Sequence, residues 1–214
     1  MSIPRQTLIT MLGMQDRMNQ RVHPDWSTQG FEWYRAIWIE AGELMDHFGY
    51  KWWKKQTPDL EQVQLEVIDI WHFGMSALLA QQLATGASIE DVADNILHTL
   101  AAHVPAHTQV REATEALAQH SLESLSFCPG RFWDLMTASG LDYDALYRAY
   151  VGKNVLNFFR QDHGYQEGTY LKVWDGREDN EHLAEMAASL DSDAPDYAEA
   201  VYAALSERYA SVTG

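Results

Sequence analysis

Four acidic residues in two neighbouring stretches of the chain have the types and spacing that metal chemistry needs. Glu40 and Glu43 are three residues apart in FEWYRAIWIEAGELMDHF. Glu66 and Asp69 repeat this spacing in LEVIDIWHF. Because a helix has 3.6 residues per turn, three residues of separation place both members of a pair on one face. Two neighbouring helices with a short connection can bring the two pairs opposite each other.

Between Tyr34 and Met45 nearly every other position is apolar or small, which implies burial on most sides, and apolar residues also surround Glu66 and Asp69. Arg35 is the only Lys or Arg inside either helix. Four carboxylates in apolar surroundings repel one another, and burying unpaired charge is costly. Divalent cations remove this cost, and ligation by carboxylate oxygens alone favours Mg²⁺ or Mn²⁺. A single E-x-x-E is usually a solvated helix face, but two pairs on adjacent apolar helices favour a metal site.

A di-iron carboxylate bundle is the alternative metal protein with Glu pairs in its helices. That class needs Glu-x-x-His motifs on two helices. Here only His72 follows an acidic residue of the set at the right spacing, three positions after Asp69, and no histidine matches it after Glu40. The sequence therefore favours magnesium over iron.

Helical periodicity extends over most of the chain, and alternating apolar runs of strand length are rare. The fold predicted is all-α, a helical bundle built around the two carboxylate-bearing helices, in a single domain over residues 1–214. Pro129-Gly130 is interpreted as a break and residues 162–179 as an irregular loop, while 87–140 carry no recognisable chemistry. The predicted helices cover about 6–21, 31–48, 59–85, 88–105, 106–120, 142–161, 180–190 and 196–212.

The overall charge of the chain argues against two classes of binding partner. Acidic residues outnumber basic ones by 31 to 15, for a formal net charge of -16. This charge repels phosphate backbones and anionic lipid, so neither nucleic acid nor a membrane is expected as a partner. Cys128 is the only cysteine, no apolar run of membrane-spanning length exists, and the N-terminal residues lack the layout of a signal peptide. These features predict a cytoplasmic protein.

Longer motifs surround the carboxylates: EAGELMDHFGYKWWKK, QLEVIDIWHF, and late in the chain YVGKNVLNFFRQDHGYQEGTYLKVWDGREDN. Together with MQDRMNQ near the N-terminus, they resemble the dimeric dUTPases of the all-α nucleoside triphosphate pyrophosphohydrolase superfamily. The carboxylate pairs are common to that superfamily and do not specify which nucleobase the substrate carries. The late KN-x-LN-x-FRQ-x-x-GY segment is more specific to the dUTPases. The resemblance implies an intertwined homodimer and Mg²⁺-dependent hydrolysis of dUTP, and also dUDP, to dUMP.

The late motif provides groups that can bind phosphate. Lys153, Asn157 and Arg160 lie at i, i+4 and i+7 and share one helix face. Their ammonium, amide and guanidinium can contact successive phosphates, the guanidinium bidentately. With the resemblance, Tyr165 and Lys172 join this predicted triphosphate set, which is implied to reach the partner's active site. The alternative is a solvated face whose cations pair with acids elsewhere.

Base recognition is assigned to the first helix, where the amides of Gln15 and Asn19 lie along an apolar stripe. An amide offers both the donor and the acceptor that the uracil edge requires. The alternative is a pair of ordinary surface residues. The resemblance favours Trp52 for stacking on the base and leaves Trp53 to the core. His72 is placed close to the sugar, with a packed, hydrogen-bonded histidine as the alternative.

The predicted mechanism uses Glu40 or Glu43 as the general base, with Glu66 and Asp69 mainly as metal ligands. A water attacks a phosphorus, and the resemblance implies the α-phosphorus. Two other functions remain open from the sequence. One is a pyrophosphohydrolase for another nucleotide such as dCTP, and the other is a non-catalytic, metal-binding helical interaction protein.

Overall fold

A computed structural model describes residues 3–191, 194 and 196–213 of the chain. Nearly all regular structure in these ranges is α-helical, which confirms the predicted all-α class. A 3-10 turn at Trp26–Thr28 precedes α2, and a two-stranded hairpin of β1 (Val173–Trp174) and β2 (Arg177–Glu178) precedes α8. The helices are α1 (Arg5–Val22), α2 (Trp33–Phe48), α3 (Leu60–Leu83), α4 (Ile89–Ala102), α5 (Val110–Ser124), α6 (Pro129–Ala138), α7 (Tyr143–Asp162), α8 (Asp179–Ala187) and α9 (Tyr197–Thr213).

The chain divides into two compact units, one up to residue 146 and one from residue 147 onward. The first unit contains α1 to α6, and the second contains most of α7, the hairpin, α8 and α9. The prediction of a single domain stays a prediction. No helix within the described ranges is long and apolar enough to cross a membrane.

The central element of the first unit is α3, which packs against α1, α2, α4 and α6. It is apolar on most sides, as expected for a helix surrounded by neighbours, and half of its residues are buried. Its start is capped by Asp59, whose carboxylate accepts a hydrogen bond from the Gln62 backbone N–H at 3.2 Å. This helix therefore holds Glu66 and Asp69 at fixed positions in the core of the unit.

The second carboxylate helix, α2, is less buried than the sequence predicts. It packs against α3 and α5, and only Ile37, Ala41 and Leu44 are buried. Trp38 and Ile39, on the remaining face, are 40% and 45% exposed. The expected burial on most sides is wrong for the single chain, because no described element of the first unit covers this face.

Two elements were missed. The Pro129-Gly130 pair starts α6, with Pro129 in the first turn, because a proline at the first helical position loses no hydrogen bond there. Within the expected loop, Asp175 and Gly176 have φ values of 49° and 79°. Positive φ at two consecutive residues is the condition for a tight hairpin turn between twisted strands, and Asp-Gly satisfies it.

Two helical glycines allow a matched test of packing. A Cβ on Gly74 of α3 would lie 2.6 Å from ring atoms of Phe127, whereas one on Gly42 of α2 meets nothing within 4 Å. Gly74→Ala is expected to lower the free energy of unfolding by about 1–3 kcal/mol through overpacking. Gly42→Ala should raise it by about 0.5–1 kcal/mol, because alanine favours the helix. Urea unfolding of both variants measures this, and equal shifts would contradict the packing.

Candidate active site

Carboxylates from α2 and α3 meet in the first unit. Glu40, Glu43 and Glu66 each present a carboxylate oxygen, and these oxygens lie within 4.8 Å of one another. Glu66 is buried, Glu40 is half-buried and Glu43 is exposed. The structure therefore brings together three of the four predicted residues. Asp69, one turn after Glu66, is close enough for its charge to act on Glu40 and Glu66.

The electrostatics of this cluster are unfavourable when all its members are ionised. Burial, then the charge of Asp69 and the contact with Glu66, raises the pKa of Glu40 to about 8. Burial and the charge of Asp69 also raise the pKa of Glu66, while a hydrogen bond from Glu40 opposes that rise. Near neutral pH the pair therefore holds a proton, with the Glu40 carboxyl donating to the Glu66 carboxylate. The proton does what a cation would do, which is to reduce the repulsion.

The donor set fits Mg²⁺ or Mn²⁺. All three clustered ligand atoms are carboxylate oxygens, the ligands that these hard cations prefer. The described part of the chain places no Lys or Arg in an ion pair with Glu40, Glu43 or Glu66. A divalent cation held by Glu40, Glu43 and Glu66, with Asp69 beside them, would supply the missing positive charge.

A histidine that the sequence analysis did not single out borders the cluster. His47 Nε2 lies 3.5 Å from Oε1 of Glu66. His47 belongs to α2, four residues after Glu43 and seven after Glu40, so the three side chains share one face. Extending the E-x-x-E spacing by one turn in the sequence would have found it.

Gln15 and Asn19 of α1 are buried, so the alternative of ordinary surface residues is wrong. Gln15 Nε2 donates to Asn19 Oδ1 at 3.1 Å and to Ser76 Oγ at 3.0 Å. Asn19 Nδ2 donates to the same hydroxyl at 2.9 Å. His72 Nδ1 lies 2.8 Å from Gln15 Oε1 and donates to it, because that oxygen can only accept. The four side chains form one polar network in an apolar core.

Ser76 is the member of this network that the sequence analysis missed. It lies ten residues after Glu66 and four after His72 on α3, and its hydroxyl donates to the His72 carbonyl at 3.0 Å. The sequence contains a signal for it, because Ser76 is a polar residue at helical spacing on the same face as Glu66 and Asp69. The Nδ1 of His72 is thus bonded within this network.

The connection between α2 and α3 carries two exposed indoles. Trp52 is 90% exposed and Trp53 is 60% exposed, with their rings 5.5 Å apart edge to face. The expectation that Trp53 belongs to the core is wrong. The base of this loop is anchored, because Arg111 Nε donates to the Gly49 carbonyl at 2.8 Å and the Lys51 N–H donates to Gln56. The Lys54 N–H also donates to the Lys51 carbonyl at 3.2 Å, which closes a turn that contains the two exposed indoles.

The predicted phosphate-binding residues lie in the second unit, and Arg160 has a protein partner there. Its Nε and Nη2 donate to the two carboxylate oxygens of Asp179 at 2.8 and 2.7 Å, and its Nη1 donates to Asn157 at 3.2 Å. Asp179 is fully buried and also accepts from the Tyr170 hydroxyl at 2.8 Å. Burial and the Asp179 charge raise the pKa of Tyr170, so the phenol stays a donor. Asp179 was missed, although an acid at a helix start is a known signal.

The other members of the predicted phosphate set differ in exposure. Lys153 is buried, and its Nζ donates to Asn180 Oδ1 at 3.2 Å. Lys172 is exposed and forms an ion pair with Glu178 at 3.1 Å. Tyr165 is exposed, with the Arg160 guanidinium 5.8 Å from its ring centroid. Of the alternative, the pairing of Arg160 and Lys172 with acids is present, but the face is partly buried rather than solvated; the role of these residues in phosphate binding stays a prediction.

The raised pKa of Glu40 predicts how stability depends on pH in the metal-free protein. Because folding raises this pKa from its ordinary value of 4.5 to about 8, the folded state binds the proton more tightly than the unfolded state does. The free energy of unfolding should therefore be highest below about pH 4.5, as far as this group is concerned, and fall as the pH rises to about 8. Glu40→Gln should flatten this slope.

Urea unfolding in EDTA between pH 5 and 8.5 measures this dependence, with Glu61→Gln as the control, since Glu61 is an exposed residue of the first turn of α3. A slope that is the same in Glu40→Gln and the wild type would contradict the assignment. Mg²⁺ or Mn²⁺ should restore the stability lost at high pH, because the cation replaces the proton.

Comparison with known families agrees with this site. The family model for dUTPase matches residues 7–165 of the 214. The match includes both carboxylate pairs, the amide network of α1 and α3, and the late motif as far as Tyr165. No curated protein sequence matches the chain at a significant level. Because the family match covers most of the chain, the protein belongs to the dimeric dUTPase family and is a dUTP diphosphatase.

Proposed function

We propose that this enzyme hydrolyses dUTP to dUMP and pyrophosphate in a Mg²⁺-dependent reaction, and that it also accepts dUDP. The single observation that carries the metal dependence is the convergence of carboxylate oxygens of Glu40, Glu43 and Glu66 within 4.8 Å of one another, with no Lys or Arg in an ion pair with them in the described part of the chain. The family match supports the nucleotide. The proposed reaction is attack by water at the α-phosphorus, with the oxygen to the β-phosphate as the leaving group.

Glu40, Glu43, Glu66 and Asp69 would hold the metal. Mg²⁺, or Mn²⁺ in its place, supplies positive charge to the phosphate oxygens and makes a nearby water more acidic. The protein contributes the position of the ligands. Glu66 and Asp69 are on the buried helix α3, whereas Glu43 is exposed on α2 and open to water and substrate.

Glu40 or Glu43 acts as the general base in this proposal. A new bond forms between the water oxygen and the α-phosphorus, the bond to the pyrophosphate oxygen breaks, and the water proton passes to the glutamate. Glu43 is exposed and accessible to water, and Glu40 lies beside it in the carboxylate cluster, so either carboxylate can accept the proton. Separate Gln variants distinguish the two.

Glu43→Gln is expected to lower kcat for dUTP by about 100-fold or more, because a positioned general base contributes about that factor. The fold should persist, since Glu43 is exposed. Pyrophosphate release with Mg²⁺ and with EDTA measures the effect, and circular dichroism checks the fold. The exposed Glu61→Gln should behave as the wild type. Full activity of Glu43→Gln would remove it as the base and leave Glu40.

Gln15 and Asn19 are proposed to read the uracil edge. Both are buried, and both already bond to Ser76 and to each other, so the donors and acceptors are held in place before substrate binds. A buried polar group left unpaired by the wrong base is costly, which is how such a site discriminates. Trp52, exposed in the neighbouring loop, is proposed to stack on the base, and His72 to lie close to the sugar.

Gln15→Ala and Asn19→Ala should therefore lower the preference for dUTP over dCTP, dTTP and UTP by about tenfold or more. The ratio of kcat/KM values across this panel is the measurement. Gln20→Ala changes an exposed amide on the same helix and should leave the ratio unchanged. An unchanged uracil preference in both variants would refute the recognition role, and preference of the wild type for dCTP would favour the alternative pyrophosphohydrolase.

Lys153, Asn157, Arg160, Tyr165 and Lys172 are proposed to bind the phosphates. Lys172 is the exposed cation of the set, and Arg160 keeps its guanidinium fixed against Asp179. A fixed guanidinium loses little entropy when it binds a further anion. Turnover of dUDP to dUMP, measured as release of inorganic phosphate, tests how far these groups need the γ-phosphate, since a strict requirement would abolish it.

A homodimer in the cytoplasm completes the proposal. The exposed Trp38 and Ile39 on α2 support an apolar contact with a second subunit. The single cysteine agrees with a reducing compartment. Sedimentation velocity distinguishes a monomer of 24.4 kDa from a species of twice that mass.

A further inference from the structure

We propose that Ser76 is a positioning residue that selects uracil over cytosine, because it fixes the orientation of the side-chain amides of Gln15 and Asn19. The inference rests on the proposed role of these two amides in base recognition and deepens it. Ser76 is fully buried on α3. It therefore acts through the amides and is not assigned a contact with the base.

The hydroxyl of Ser76 has a single proton, and the backbone of α3 accepts it. Ser76 Oγ donates to the His72 carbonyl, one helical turn earlier, at 3.0 Å. The oxygen can then only accept, and a hydroxyl oxygen can accept two hydrogen bonds. These come from Gln15 Nε2 at 3.0 Å and Asn19 Nδ2 at 2.9 Å. The hydrogen-bonding capacity of the hydroxyl is complete, with one bond donated to the backbone and two accepted from the amides.

This arrangement determines the orientation of both amides. If either amide turned by half a turn about its terminal bond, its carbonyl oxygen would face Ser76 Oγ, which has no proton left to donate. A hydroxyl that gave up its bond to the backbone could serve only one of two turned carbonyls. Gln15 Nε2 also donates to Asn19 Oδ1 at 3.1 Å, so the two orientations support each other. A turned amide would leave a buried acceptor without its hydrogen bond, which is costly.

His72 cannot fix the orientation in the same way. His72 Nδ1 lies 2.8 Å from Gln15 Oε1, but either nitrogen of a neutral imidazole can donate or accept, according to the tautomer. The ring can therefore adapt to both orientations of Gln15, whereas the hydroxyl of Ser76 cannot. Ser76 is thus the member of the network that sets the direction of its hydrogen bonds.

The orientation matters because uracil and cytosine differ by an exchange of donor and acceptor. Uracil accepts at O4 and donates from N3–H, whereas cytosine donates from its amino group and accepts at N3. Turning a side-chain amide by half a turn exchanges its own donor and acceptor. The same amide therefore matches uracil in one orientation and cytosine in the other. Thymine has the same donors and acceptors as uracil, so Ser76 should have no part in excluding it.

The experiment measures kcat/KM of the full-length protein with Mg²⁺ for dUTP, dCTP and dTTP. Ser76→Ala should lower the ratio of dUTP to dCTP by about tenfold, because the hydrogen bonds that orient the amides are lost, and should change the ratio of dUTP to dTTP by less than about threefold. A generally loosened site would lower both ratios together. An unchanged dUTP to dCTP ratio, or an equal fall in both ratios, would overturn the inference.

Two further variants separate the hydroxyl from the packing. Ser76→Thr keeps a hydroxyl that can bond the carbonyl four residues earlier. It should keep the wild-type ratio of dUTP to dCTP, even where its added methyl group lowers kcat for all three nucleotides. A fall in this ratio as large as that of Ser76→Ala would also overturn the inference.

Ser139→Ala is the matched control. Ser139 is buried, and its hydroxyl donates to the Leu135 carbonyl four residues earlier at 2.9 Å, which is the same backbone bond that Ser76 makes. Its hydroxyl lies outside the amide network, so both ratios should match those of the wild type. Circular dichroism of every variant checks the helical fold.

Gln15→Ala and Asn19→Ala distinguish the failure of this inference from that of the proposed function. If these two variants lose the preference for dUTP over dCTP while Ser76→Ala keeps it, only the inference about Ser76 fails. If the wild type has no such preference, or if both amide variants retain it, the proposed base recognition itself fails.

Discussion

Repulsion between carboxylates at the contact of α2 and α3 is the constraint on which the site depends. Three carboxylate oxygens lie within 4.8 Å of one another, and Glu66 is buried. Like charges at this distance in a medium of low polarity raise each other's pKa, and so does the burial itself. The fold maintains this unfavourable arrangement through apolar packing of α3, and a proton or a cation relieves it. Relief of this repulsion is what a divalent cation would gain by binding here.

Helix α3 connects this charged cluster to the polar network of Gln15 and Asn19. Glu66, His72 and Ser76 follow one another along that helix, so one rigid element positions a carboxylate ligand and two partners of the amides. A helix surrounded by neighbours cannot easily shift by a fraction of a turn, because its side chains interdigitate with those of the helices around it. The separation between the Glu66 carboxylate and the amide network is therefore set by the rise of a single helix, about 1.5 Å per residue.

The second unit shows a different solution to buried charge. Arg160 donates two hydrogen bonds to the carboxylate of Asp179. Asp179 also accepts from the Tyr170 hydroxyl, and Arg160 also donates to Asn157. Breaking such a pair leaves an uncompensated charge in the interior. Arg160 consequently has a structural task in addition to its proposed one, and a variant at this position tests both together. Lys172 is exposed, so a variant at this position would test the proposed phosphate binding with less disturbance of the fold.

The sequence by itself determined the all-α class, the starts of α3 and α4, and the residues of the carboxylate cluster, because periodicity, capping residues and charge spacing are local properties. The same reasoning missed α6, since a proline can end one helix or begin the next. Only the tertiary structure decided which side chains have partners. It buried Gln15 and Asn19 against Ser76, exposed Trp53, paired Arg160 with Asp179 and brought His47 to Glu66. These outcomes depend on contacts between residues far apart in the chain, and no local pattern specifies which helix covers which face.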